Sequence, residues 1–82
     1  MNSVYYDGWH KRIYVTCGKE LSAGFVFIYQ QKDPDHYEVI GKVPTAPGAG
    51  TSFCVPQLNR FYVAVPGLEK QEAAILVFEP QP

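Results

Sequence analysis

The chain has 82 residues, 46% of them hydrophobic and 15% aromatic against 18% charged, a balance that excludes a disordered segment and suits pleated, half-buried strands. Seven basic and eight acidic residues are scattered singly for a net charge of −1, which excludes the basic face that nucleic acid or an anionic lipid surface requires. A chain of this size buries only about 60% of its unfolded surface, so one small domain over residues 1–82 is expected, with a core that needs supplementing.

In chain order, Val4-Tyr5-Tyr6 is a short β-type run ended by Asp7-Gly8. Trp9-His10-Lys11 forms the tip of a hairpin before Arg12 opens the next run. There Ile13, Val15 and Cys17 alternate with Tyr14 and Thr16, a second strand that ends at Gly18. Residues 19–23 are a polar connection. Phe25-Val26-Phe27-Ile28-Tyr29 has no polar member, and a strand without alternation is expected to be covered on both faces. Lys32-Asp33-Pro34-Asp35-His36 is a turn, since Pro34 presets φ and the aspartates bond their own backbone. Residues 37–43 carry spaced charges and run into Pro44, the marks of an edge strand. Residues 45–50, with Pro47 and two glycines, hold no regular structure and form a connection. Three more runs follow: Thr51–Val55, Arg60–Val65 and residues 73–78, separated by a turn at residues 56–59 and a polar loop at 66–72.

The second half restates the first. Arg12-Ile13-Tyr14-Val15 returns 48 positions later as Arg60-Phe61-Tyr62-Val63, and the run at Phe25 returns at an offset of 49 as Ala74-Ile75-Leu76-Val77-Phe78. A period of this length, made of short apolar runs, is one supersecondary unit used twice. The units span residues 3–44, with four strands, and 51–79, with three. No helical periodicity and no room for a crossover helix exist, so the class is all-β, with two antiparallel meander sheets.

Four-strand meanders repeated at this spacing resemble β-propeller blades. In detail the chain resembles the family of β-propeller repeat proteins named for a Tyr-Val-Thr-Asn signature: Tyr14-Val15-Thr16-Cys17 occupies the signature, departing at its last position, and Tyr62-Val63-Ala64-Val65 occupies it more loosely. Lys11-Arg12 and Asn59-Arg60 are similar to the family's turn into its second strand. The likeness implies the two C-terminal blades of a larger propeller and a scaffold for binding. Some relatives in the wider class are lactonases or other hydrolases, but no motif here carries that chemistry.

Candidate chemistry is sparse. Asp33, Asp35 and His36 form the densest polar cluster, but a cation site needs about six oxygen ligands and a tight turn explains the residues. His10, His36, Cys17 and Cys54 lack the local pair spacing of zinc sites, so no cofactor or metal is expected. The two cysteines sit inside apolar strands, which favours buried, inert thiols, with a bridge between them left open. Gly48-Ala49-Gly50 precedes a strand rather than a helix, which makes it a connection and not a phosphate cradle. Arg12 and Arg60 recur in register and are expected to be structural. Trp9 and His10, at a hairpin tip, are the candidates for an exposed contact, weighed against packing of the ring on its own hairpin.

The functional expectation is therefore a non-catalytic interaction module. Two stacked sheets cover one face of each, so two apolar faces stay wet, and each exposed apolar side chain forgoes roughly 1.5–3 kcal/mol. The last run also lacks a fourth strand beside it, leaving an uncharged edge. A dimer or tetramer is expected, with Ala74, Ile75, Leu76, Val77 and Phe78 at the contact. The alternative is a small-molecule or hydrolase site at a subunit junction, drawing on Asp7, His10, Arg12 and Glu20. No run approaches the ~18 apolar residues of a membrane span, and Met1-Asn2-Ser3 lacks a signal peptide's features, which places the chain as written in the cytoplasm. A longer propeller parent would be compatible with export.

Overall fold

The computed structural model describes residues 3–18 and 23–81. Among the described residues there are seven strands: β1 (Ser3–Asp7), β2 (Arg12–Cys17), β3 (Phe25–Asp33), β4 (His36–Pro44), β5 (Thr51–Val55), β6 (Arg60–Val65) and β7 (Ala74–Phe78). They form two antiparallel meanders, a four-stranded sheet in the order β1-β2-β3-β4 and a three-stranded sheet in the order β5-β6-β7. The fold is thus all-β, with two blade-like sheets of four and three strands. Short alternating runs joined by tight turns leave the chain no other economical pairing, because consecutive antiparallel strands need only hairpin connections.

The two sheets pair their strands in the same register. Tyr5 lies opposite Tyr14 and Tyr14 opposite Ile28 in the first; Phe53 lies opposite Tyr62 and Tyr62 opposite Val77 in the second. These are the positions that the offsets of 48 and 49 bring into correspondence.

β3 extends beyond its apolar run to Asp33, because Gln30 and Gln31 continue the pairing with Glu38 and Tyr37 of β4. β4 is an edge, as its charges and Pro44 imply. Its register slips where Ile28 pairs with Gly41 but Tyr29 with Val39, leaving Ile40 as the extra residue of a bulge.

Alternation decides which side chains meet between the sheets. Tyr14, Thr16 and Val26 of the first sheet and Phe61, Val63 and Val65 of the second are buried there, with Tyr14 and Phe61 rings 4.9 Å apart. Thr16 Oγ1 and Ser52 Oγ share a hydrogen bond of 2.8 Å, and Ser3 Oγ donates to the Gly50 carbonyl at 2.9 Å. These bonds satisfy hydroxyls that would otherwise be costly in a small core.

The connection at residues 45–50 is packed into the molecule rather than laid over it, with Ala49 fully buried. Gly18 and Gly24 make that possible: a Cβ on Gly18 would stand 2.2 Å from the Ala49 backbone, and one on Gly24 2.1 Å from the Ala46 carbonyl oxygen. Thr45 N donates to the Gly24 carbonyl at 2.8 Å, closing this seam.

The outer faces differ from the expectation of strands covered on both sides. In β3 only Val26 is buried, while Phe25, Phe27 and Tyr29 are half-covered. In β7, Ile75 and Val77 are exposed at 58% and 57%. One chain covers one face of each sheet and no more.

Candidate functional site

The hairpin between β1 and β2 carries the densest polar arrangement. Asp7, at the inner end of β1, is buried because alternation turns it to the same face as Tyr5. Its Oδ1 accepts from the backbone N–H groups of Trp9 at 3.0 Å and His10 at 3.2 Å, an aspartate-centred turn. Its Oδ2 accepts from His10 Nδ1–H at 2.7 Å and from the Tyr14 hydroxyl at 3.1 Å. Burial pushes the Asp7 carboxyl upward, but the hydrogen bonds from His10 and Tyr14 outweigh it and hold the group below the ordinary carboxylate value. Burial, reinforced by the Asp7 charge and opposed by Arg12, pushes the Tyr14 hydroxyl up to about 12.

Around this hub the expected contact residues separate. Trp9 stands 87% exposed and does not pack on its own hairpin. His10 is half-buried, turned in toward Asp7. Asn59, Pro56 and Pro80 border the same open depression as Trp9 and His10.

Of the four residues suggested for a small-molecule site, Asp7 and His10 meet directly. Arg12 lies beside the Tyr14 hydroxyl, but its guanidinium is engaged, donating from Nε to Gln30 Oε1 at 3.0 Å and from Nη1 to the Gln81 carbonyl. Arg60 makes the matching link, bonding the Leu58 and Asn59 carbonyls at 3.0 Å and lying 3.5 Å from Glu79 Oε2. Both arginines tie the β2 or β6 turn to the chain at or beyond β3 or β7, a structural task. Glu20 lies outside the described residues.

A groove of about 280 Å³ opens between the sheets, lined by Tyr14, Ile28, Ile40, Val43, Phe61 and Phe78 among others. It lies where the first sheet has β4 and the second has no fourth strand. Its lining is mostly apolar, with Arg12, Glu79 and Gln81 as its polar members.

The other candidate clusters are local. Asp33 receives the Asp35 N–H at 3.0 Å and the His36 ring Nδ1 at 2.7 Å, and the His36 hydrogen bond holds its carboxyl below the ordinary value. Both cysteines are free and half-buried rather than buried. Burial, with the Asp7 charge, pushes the Cys54 thiol up, although the Tyr5 hydroxyl beside it acts the other way. A raised thiol is a poor nucleophile near neutral pH.

The C-terminal strand divides in two. Leu76 and Phe78 face inward and pack on the core, whereas Ile75 and Val77 face out. The outer face they join also holds Phe53 and Tyr62, whose rings stack at 5.0 Å. Two features were not legible in advance: the Tyr14–Asp7 link, and Lys42, whose ammonium sits 4.2 Å from the Phe25 ring centre. Their only signal is cross-strand pairing, since Lys42 lies opposite Phe27.

Compared with protein-family models, curated proteins and solved structures, the chain matches none.

Proposed function

We propose that the chain is a non-catalytic interaction module, made of two repeats that resemble propeller blades of the Tyr-Val-Thr-Asn type, which acts by self-association. The observation that carries this is the exposed apolar face at Phe53, Ile75 and Val77, on a sheet whose β7 edge has no strand beside it. Exposed apolar patches of this kind mark association surfaces. β7 contains no charge and no proline, whereas β4, an edge of the first sheet, carries Glu38, Lys42 and Pro44 and a bulge. Edges that must stay single are blunted in the way β4 is.

The test is the solution mass. Light scattering at micromolar concentration is expected to give a dimer or tetramer, and Val77→Lys to shift it to one copy or unfold the chain. A folded single copy of the unmodified chain at those concentrations would remove the proposal.

A second reading, a small-molecule or hydrolase site completed at a subunit junction, is favoured by the Asp7–His10 pair at 2.7 Å beside an open depression. An aspartate that orients an imidazole is half of a general-base arrangement. Turnover in a broad hydrolase screen, abolished by His10→Ala with the fold intact, would establish this reading in place of the first.

A further inference from the structure

The inner face of the first sheet and the outer face of the second are built from matching positions. Tyr14, Val26 and Ile28 of the buried inner face correspond to Tyr62, Ile75 and Val77 of the exposed outer face, at the offsets of 48 and 49 that also relate the strand pairings. The converse holds as well. Phe61, Val63 and Leu76, which face inward from the second sheet, correspond to Ile13, Val15 and Phe27, which face outward from the first. Each wet face is thus the counterpart of a face already paired inside the chain.

We propose that the wet faces pair with each other between copies: the outer face of the second sheet docks on the outer face of the first sheet of a second copy, and so repeats the contact between the two sheets within one chain. This rests on the self-association reading and specifies its geometry. The intrachain contacts then name the contacts between copies. The Tyr14–Phe61 ring contact becomes Tyr62 against Ile13 of the next copy. The Thr16–Ser52 hydrogen bond becomes an apolar contact of Ala64 with Val4, and the Cys54 thiol beside Tyr5 becomes Tyr6 beside Phe53.

The substitutions at those positions agree with the change from polar to apolar partners. The buried hydroxyl pair has been replaced by Ala64 and Val4, which need no hydrogen bond and lose nothing by being dry. Lys42, whose charge lies over the outer face of the first sheet, belongs to β4, and the second sheet ends at its third strand. It falls at the rim of the contact, where its charge stays in water.

Such a contact is heterologous, since it joins two different surfaces. It propagates until the rotation per copy closes a ring, or continues as a filament. With two sheets per copy a ring holds an even number of sheets. For rings of about four to eight sheets this means two, three or four copies.

The experiment uses two chains in a Cys17→Ala, Cys54→Ala background, one carrying Val4→Cys and the other Ala64→Cys. Oxidised together, they are expected to form a mixed disulfide dimer at least tenfold more abundant than either self-linked product. In parallel, Val15→Glu and Tyr62→Glu each block one face. Each alone is expected to be a single copy, and an equimolar mixture to give a one-to-one pair through the two faces left intact. If these two variants fail to fold by circular dichroism, the cross-linking decides. An unmodified chain that runs as a single copy would overturn both this inference and the reading beneath it. An unmodified chain that associates while the mixed disulfide is absent, or no commoner than the self-linked ones, would overturn the inference alone.

Discussion

The tip joining β1 to β2 and the tip joining β5 to β6 stand at matching positions, and both end on a residue in the left-handed region, Lys11 at φ 54° and Asn59 at φ 50°. In each, an arginine follows and reaches the residue just beyond the matched apolar run, Arg12 to Gln30 and Arg60 to Glu79. Inside the turns the likeness stops. The first is organised by the buried carboxylate of Asp7. The second is organised by backbone, a single 3₁₀ turn over Pro56–Leu58 in which Asn59 N donates to the Pro56 carbonyl at 3.0 Å. The reversal therefore depends on one left-handed residue and one arginine link, while the scaffold of the turn is open to different solutions.

The largest difference between the two tips is expected from Asp7→Ala. It leaves the buried Tyr14 hydroxyl and two turn amides short of an acceptor, and a loss of about 3 kcal/mol is expected in urea unfolding. Val55, which stands at the matching position, accepts no such bonds, so Val55→Ala is expected to cost roughly 1 kcal/mol. Equal losses at the two positions would show that the carboxylate does not organise the first tip.

Next in size is the pH dependence of the same hub. The Tyr14 hydroxyl is raised in the fold from 10.0 to about 12, so the fold favours its neutral form. That preference is fully present below pH 10 and is lost as the pH climbs toward 12, a change of roughly 2–3 kcal/mol. Tyr14→Phe is expected to remove this alkaline limb from a plot of stability against pH. Asp7 acts in the opposite direction: its folded value lies below the ordinary 3.8, so its contribution is present above that pH and lost as the pH falls through the folded value. Asp7→Asn is expected to flatten the acid limb and, by removing the charge that helps raise the Tyr14 hydroxyl, to shorten the alkaline limb as well; an unchanged acid limb would count against the hydrogen bonds assigned to the carboxylate.

A smaller effect sharpens the backbone side of the comparison. Lysine tolerates the left-handed region poorly and asparagine tolerates it well. Lys11→Asn is expected to raise stability by about 0.5–1 kcal/mol, and Asn59→Lys to lower it by a similar amount, both read from thermal unfolding. The smallest expected effect is Trp9→Ala, within about 0.5 kcal/mol in stability, because the ring is 87% exposed. A large loss there would mean that the indole braces the tip after all.

Much of the fold was legible in the residues. All seven strands were visible as alternating or apolar runs, because the strand period of two is written locally. The edge character of β4 was visible in its charges and proline. Strand length was not, since β3 runs on through Gln30 and Gln31 only because β4 is there to pair with them. The bulge at Ile40 and the burial of Ala49 were equally hidden, because both follow from how β4 and the connection meet the rest of the chain. At the tip, Trp9 and His10 looked alike in the sequence. The structure separates them, because Asp7 captures the imidazole and leaves the indole in water.

By itself, then, the sequence determined the class, the order of the strands, their common register and the presence of more apolar faces than one chain can cover, all of which depend on neighbours within a few residues or on the matching of two halves. Which of those faces is dry was decided only by the tertiary structure. Alternation gives every strand two sides and does not say which one meets the other sheet; the choice is made where the packed connection at residues 45–50 brings β1 against β5 and puts Thr16 within 2.8 Å of Ser52. That contact is long-range, between residues 36 positions apart, and its energy exists only once both sheets are formed.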